Sequence, residues 1–315
     1  TCKKVSAKIV LLFVKAKNMK YVITGSLGHI SRPVTEALIT AGHQVTVISS
    51  QQDRTKEIES LNAAAAIGSV EDQDFISTTF SKADAVYLMI PPNFITQDFP
   101  GYQKKVADNY VNALKNSNVQ YIVLLSSIGA HLRKGAGPID ALGYLEEQLQ
   151  LLPQKDIKIL RPAFFLYNFL RMAPLLKTHG IIGGNYGNEQ EKIALVHHLD
   201  IADCVIKHLR QPSFTGYSIE YIVSDEQYVA DIASVLGKVV DKPTAQWVTF
   251  TDEQTFDAMT QQGLHSSLVK LFVEMGTAFR DGRIQEDYWK QPNVIKDRRT
   301  LEKFANEFAA VYNSL

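Results

Sequence analysis

An α/β fold, a doubly wound parallel sheet with a smaller C-terminal α/β lobe, is predicted by three features of the 315-residue sequence. Near-continuous apolar runs of strand length alternate with helix-length segments, the pattern of a sheet covered on both faces. The first run, Tyr21-Val22-Ile23, passes through Thr24-Gly25-Ser26-Leu27-Gly28-His29-Ile30-Ser31 into a stretch with helical spacing. Later runs also end in turn residues, and ligands of such sheets lie beyond the carboxyl ends of the strands.

Taken in order, the chain opens with Thr1 to Asn18, where an apolar run from Ile9 to Val14 lies between Lys8 and Lys15. That run is too short for a secretory core or a membrane span. Met19 reads as an initiator, so residues 1–18 are expected to be an extension outside the fold, with an extra edge strand at Lys8 to Val14 as the alternative. After Tyr21-Val22-Ile23, the residues Ile30, Val34, Ala37 and Leu38 share one helical face. Pro33 lies in the first turn, where a missing N–H costs little. Ala41-Gly42-His43 stops the helix and Gln44-Val45-Thr46-Val47-Ile48 forms the second strand. Further strands are expected at Ala64 to Ile67, Ala85 to Ile90, Tyr121 to Leu125 and Ile157 to Leu160.

The last of these runs into the aromatic segment Arg161-Pro162-Ala163-Phe164-Phe165-Leu166-Tyr167-Asn168-Phe169. Phe165 and Phe169 are expected in the core, Phe164 and Asn168 at the site. From Gly180 the texture changes: Gly183-Gly184-Asn185-Tyr186-Gly187 reads as a loop, and Gly216 to Ile222 alternates. His197-His198-Leu199-Asp200 opens a helix with Asp200 as its expected N-cap. The expected organisation is residues 19–179 as a dinucleotide-binding domain, whose sheet also receives later segments, and 180–315 as a substrate or interaction lobe.

Thirty-three basic and thirty-three acidic residues leave no global field, so neither nucleic acid nor an anionic membrane is an expected partner. Cys2 and Cys204 are far apart, which fits a reducing cytoplasm and opposes a disulfide framework or a zinc site. Cys204 is expected to pack as a small apolar residue. Adjacent His197 and His198 diverge by roughly 100° on a helix and lack a third spaced ligand, so no metal is expected.

The glycine turn carries most of the chemistry. Its first glycine permits the bend, its second lets backbone N–H groups approach a pyrophosphate, and the helix N-terminus adds roughly half a positive charge. Gly25, Ser26, Leu27, Gly28, His29 and Ile30 are therefore the expected phosphate cradle. Ser49, Ser50, Ser69, Val70, Ile90, Pro91, Ser126, Pro162 and Phe164, all just past strand ends, complete the expected dinucleotide site. An acid about twenty residues beyond the turn would bind the ribose diol and repel a 2′-phosphate. Here the second strand ends Ser49-Ser50-Gln51-Gln52, with Arg54 and Lys56 beyond, which favours NADP(H) and leaves NAD(H) open. The alternative is that Arg54 and Lys56 solvate the next helix.

The chain after Met19 resembles the NmrA-like branch of atypical short-chain dehydrogenases, particularly the quinone-reductase-like members. The resemblance rests on Thr24 to Ile30, Gly68-Ser69-Val70-Glu71-Asp72, Ser126-Ser127-Ile128-Gly129, Leu160 to Asn168, Asp200-Ile201-Ala202-Asp203 and Thr300-Leu301-Glu302-Lys303-Phe304. It implies a Rossmann domain for NADP(H) or NAD(H) with a smaller lobe closing over the nicotinamide. The branch includes working reductases and proteins thought to sense dinucleotide state without turnover. Ordinary short-chain dehydrogenases carry Tyr-x-x-x-Lys, whose ammonium lowers the tyrosine pKa. This chain has Tyr144-Leu145-Glu146-Glu147-Gln148, and the lysine that many NmrA-like relatives keep before a glutamate falls at Gly143 or Tyr144. Glu146 and Glu147 are expected to raise the phenol's pKa.

Two readings follow. One is a reductase of a quinone-like acceptor, whose weakly basic oxyanion takes its proton from water while Ser126, Tyr144 and His131 hydrogen-bond the developing charge. The other is a binding module in which NADPH orders the segment Pro91 to Tyr102, or the part after Gly180, for a partner protein. Epimerase or dehydratase chemistry needs the missing Tyr/Lys pair. Neither the acceptor nor the oligomeric state is written in the sequence.

Overall fold

The computed structural model describes residues 18–188, 190–291 and 299–315. The expected extension, apart from Asn18, and the alternative strand at Lys8 to Val14 lie outside the described residues. The chain alternates β1 (Lys20–Ile23), α1 (Ser31–Thr40), β2 (Gln44–Ser49), α2 (Thr55–Ser60), β3 (Ala64–Ile67), α3 (Gln73–Phe80), β4 (Ala85–Leu88), α4 (Phe99–Lys115), β5 (Tyr121–Leu125), α5 (Asp140–Gln150) and β6 (Asp156–Pro162). There follow β7 (Phe164–Phe165), α6 (Ala173–His179), β8 (Ile181–Gly184), β9 (Lys192–Val196), α7 (His198–Leu209), β10 (Tyr217–Ile222) and β11 (Asp225–Tyr228). The described elements end with α8 (Val229–Lys238), β12 (Gln246–Thr249), α9 (Asp252–Gln261), α10 (Ser266–Arg280), α11 (Glu286–Trp289) and α12 (Leu301–Ser314).

Seven strands form one sheet in the order β10-β6-β5-β4-β1-β2-β3, every pairing parallel. Alternate residues of its strands feed two cores. Val22, Val86, Leu88, Ile122, Leu124 and Ile159 join Ile76, Phe80 and Tyr110 from α3 and α4. Tyr21, Ile23, Tyr87, Val123 and Leu160 face the other way, onto Val34 and Leu38 of α1 and Val205 of α7. Double coverage explains why β4 is buried at every position and reads as an unbroken apolar run. Each such Leu, Ile or Phe removed from water contributes about 1.5–3 kcal/mol.

The order reverses at β1: β2 lies on one side and β4 on the other, so the chain crosses over between them and leaves a crevice at their carboxyl ends. β10, from beyond Gly180, extends the same sheet by pairing with β6, Tyr221 opposite Arg161. Two small sheets, β11-β9-β7 and β12-β8, make up the remainder.

Two expectations need correction. Gly183 and Gly184 belong to strand β8 rather than to a loop, because β12 approaches so closely that a Cβ on Gly183 would stand 2.1 Å from the Val248 carbonyl oxygen. Asp200 does not cap α7. His197 does, its ring accepting from the Leu199 N–H, while Asp200 is buried and accepts from Ser224 Oγ and Arg299.

Candidate dinucleotide site

The turn after β1 is held from beneath by Thr24. Its hydroxyl receives the Met89 N–H at 2.8 Å, and its own N–H donates to the Tyr87 carbonyl, tying the ends of β1 and β4 together. Gly25 then adopts φ +87°, and a Cβ there would meet Met89 Sδ and Ser31 Oγ, each at 2.9 Å. Glycine is required at this position by conformation and by space alike. Ser26, also at positive φ, donates its N–H to Ile48 O, and its hydroxyl contacts Ser49 Oγ at 3.1 Å.

Beyond this point the turn is open. The amides of Leu27, His29 and Ile30 have no acceptor among the described residues, and α1 starts at Ser31 with no side-chain cap at Ile30. Gly28 is exposed, and a Cβ there would meet only Gly25 O, at 3.2 Å. Unpaired N–H groups, a helix N-terminus and a surface with no side chain fit a diphosphate.

The remaining strand ends converge on the same edge. Gly68 N donates to Ser49 O, bringing exposed Ser69 and buried Val70 alongside; Asn109 anchors the Val70 carbonyl at 3.0 Å. Ser50 is exposed at the end of β2. Ile90 is buried, and Pro91 O accepts from Tyr102 Oη. Ile128 N donates to buried Pro162 O. Phe164 is half-buried, its ring 5.1 Å from Tyr186 and 5.8 Å from Phe279. Phe169 is fully buried as expected, whereas Phe165 is only partly so.

The expected proton-transfer groups are not gathered in this way. Ser126 Oγ donates to Glu146, which is wholly buried and also receives Arg161 Nε at 3.0 Å and Nη2 at 2.6 Å. Arg161 continues to Tyr221 Oη at 2.9 Å and Asp287 at 3.1 Å, so this network joins β5, α5, β6, β10 and α11. Although burial opposes it, the bonds to Glu146 hold the Arg161 guanidinium more firmly protonated than usual. Tyr144 faces α4, where its hydroxyl donates to Asp108 at 2.6 Å beneath the Lys104 ammonium. Its pKa is raised chiefly by Asp108 and then by burial, so the carboxylate that matters is not Glu146, which turns inward. His131 is partly buried with neither ring nitrogen partnered among the described residues, and burial pushes its pKa down.

Sequence reasoning missed three side chains beside the turn. His29 lies 5.6 Å from the Tyr167 ring and 5.3 Å from His198, and His198 is pushed down to about 4 by burial and by its histidine neighbours. Arg32, at the start of α1, reaches Glu57 at 2.6 Å, and Arg54 reaches the other oxygen of the same carboxylate at 2.5 Å. A basic residue one position after the small Ser31 was the available signal for Arg32; Tyr167 and His198 are brought here only by the fold.

Elsewhere, Cys204 and His208 on α7 share Glu220 of β10, with His208 Nε2 at 2.7 Å and the Cys204 thiol at 3.5 Å. The three ligand-type atoms lie within 4.8 Å of one another. Burial raises the thiol to about 12, so Cys204 stays protonated as it donates to the carboxylate. None of the described helices is long and apolar enough to cross a membrane.

Among known proteins, the chain is 22% identical over 265 residues to an uncharacterized protein of Saccharomyces cerevisiae, covering 77% of this chain and 87% of that one. Its fold is similar to that of an NADPH-dependent quinone oxidoreductase from Escherichia coli, with TM-score 0.74, 18% identity, and 91% and 98% of the two chains covered. It is also similar to triphenylmethane reductase from Citrobacter sp. in complex with NADP(H), with TM-score 0.74, 15% identity, and 92% and 99% covered. The family described as NAD(P)H-binding matches residues 25–212, a span that begins at the first glycine of the open turn and runs past α7. On that match the chain belongs to the NAD(P)H-binding family.

Proposed function

We propose that this protein is an NmrA-like, NADP(H)-dependent oxidoreductase that passes hydride to a quinone-like or otherwise conjugated small molecule. The observation that carries the reading is the state of Tyr144: its hydroxyl is committed to Asp108, and Gln148 stands where a pKa-lowering lysine would be. Carbonyl–alcohol chemistry relies on that pair. A conjugated acceptor leaves a weakly basic oxyanion that water can protonate, so the same site serves it without a phenol relay.

Bound NADPH would supply the hydride. The chain's own contribution is to hold the diphosphate on the amides of Leu27, His29 and Ile30 and to leave the end of β2 free of acids at Ser49 and Ser50, beside Arg54. In this reading residues 19–179 bind the dinucleotide, 180–315 select the acceptor, and the balanced charge suits a small-molecule partner rather than nucleic acid or an anionic membrane. Loss of NADPH absorbance on addition of a panel of quinones tests it: turnover well above the rate without protein is expected, and tight NADPH binding with no stimulated turnover would contradict it.

That contrary result would favour the second reading, a dinucleotide-sensing binding protein. Its support is the contact of Gln97 O, in the segment after β4, with Ser267 Oγ of α10, next to the Phe94–Phe272 ring pair at 5.9 Å. A shift of that segment on NADPH binding would be passed directly to the C-terminal part.

A further inference from the structure

We infer that Glu57 is a resident anion in the 2′-phosphate pocket, and that Arg32 sets the choice between NADPH and NADH by exchanging this carboxylate for the phosphate. The inference rests on the dinucleotide reading of the glycine turn and adds to it a residue and a competitor.

The geometry is that of an anion gripped from two sides. Arg32 Nη1 lies 2.6 Å from one Glu57 oxygen and Arg54 Nη1 lies 2.5 Å from the other. Arg32 belongs to the helix that follows the turn, its N–H donating to Gly28 O at 3.0 Å. Arg54 and Glu57 belong to the segment that follows β2. These two segments border the position of an adenosine ribose in such folds, and the Ser26–Ser49 hydroxyl contact closes the same seam. Guanidinium pairs that take a carboxylate at this spacing also suit a phosphate, which offers more oxygens and more charge.

Charge counting shows why exchange is favoured. Arg32 also contacts Glu36 at 3.1 Å, so two guanidiniums face two carboxylates and the cluster is neutral without a ligand. A 2′-phosphate entering beside Glu57 would meet a like charge; once Glu57 swings away, two guanidiniums remain against Glu36 alone, a net positive charge. Swinging is easy, since the Arg32, Arg54 and Glu57 side chains are 42%, 44% and 34% exposed and surface ion pairs contribute little. With NADH there is no phosphate, so Glu57 keeps its place and can accept from a ribose hydroxyl, the usual task of an acid at the end of the second strand. The acid missing from Ser49-Ser50-Gln51-Gln52 is thus supplied by α2.

Calorimetric titration of the full chain with NADPH and with NADH tests this. Arg32→Gln is expected to weaken NADPH about tenfold or more while NADH stays within about twofold, and Glu57→Gln to tighten NADPH several-fold without tightening NADH. An Arg32→Gln protein whose NADPH affinity stays within about twofold of the parent overturns the inference. So does a Glu57→Gln protein that shifts both coenzymes alike, and this variant decides alone if Arg32→Gln fails to fold. If the parent binds neither coenzyme, the dinucleotide reading itself fails and takes this inference with it. If the parent binds both and the variants change nothing, only the inference falls.

Discussion

The glycine turn after β1 and the region around helix α5 differ in what the fold leaves open. At the turn, three amides have no acceptor among the described residues and α1 begins without a side-chain cap. Around α5, the hydroxyls expected to act are already taken: Ser126 by Glu146, Tyr144 by Asp108. The difference lies in which atoms perform the role. A backbone cradle is set by local sequence, because two glycines and the following helix fix where the N–H groups point. A side-chain role is set by whatever the fold places opposite it, and Asp108 is 36 residues from Tyr144.

The comparison sharpens into experiments. The largest stability effect should come from the closed region. Arg161→Met leaves the buried Glu146 carboxylate with only Ser126 Oγ and the more distant Arg133 guanidinium, 3.8 Å away, and is expected to cost about 3–5 kcal/mol of unfolding free energy in a denaturant titration; a loss under about 1 kcal/mol would mean that Arg133 or water takes over the carboxylate. Smaller is Tyr144→Phe, which removes one bond to a partly exposed aspartate. It should cost about 0.5–1.5 kcal/mol of stability and change quinone turnover by no more than about twofold. A hundred-fold fall in kcat would restore Tyr144 to the chemistry.

Smallest at neutral pH, and growing only in acid, is an effect at the open region. His198 titrates at about 4 in the folded chain against 6.5 for the free side chain, because burial and the neighbouring histidines disfavour its cation. Below pH 6.5 the unfolded chain binds the extra proton first, so this contribution is complete above 6.5 and is lost as pH falls toward 4. Thermal melts of His198→Leu should show a shallower decline than the parent across that window, and parallel curves would remove His198 from the account.

Legibility in the sequence followed the same division. The central strands were readable because burial on both faces makes them apolar runs, as in β4, and six of the seven strands were foreseen within a few residues. β10 was foreseen as an alternating stretch, since an edge strand has one wetter face, as exposed Ile219 shows. Gly183 and Gly184 misled because a glycine demanded by close strand approach looks like one demanded by a turn. Asp200 misled because a helix-initial aspartate caps unless a distant arginine claims it, and Arg299 does. The neutral end of β2 is plain along the chain, whereas the placing of Glu57, three residues past Arg54, between Arg54 and Arg32 depends on the fold.

The central claim is that open amides around Gly28 hold a dinucleotide diphosphate, and calorimetry of Gly28→Asp against the parent with NADPH tests it most directly. The account predicts one site in the parent, and for the variant at least about a hundred-fold weaker binding, since a carboxylate and its bulk would replace the phosphate at an electropositive helix start. The melting temperature should stay close to the parent's, because Gly28 is exposed and not at positive φ. Undiminished affinity in the variant, or no binding in the parent, would contradict the account.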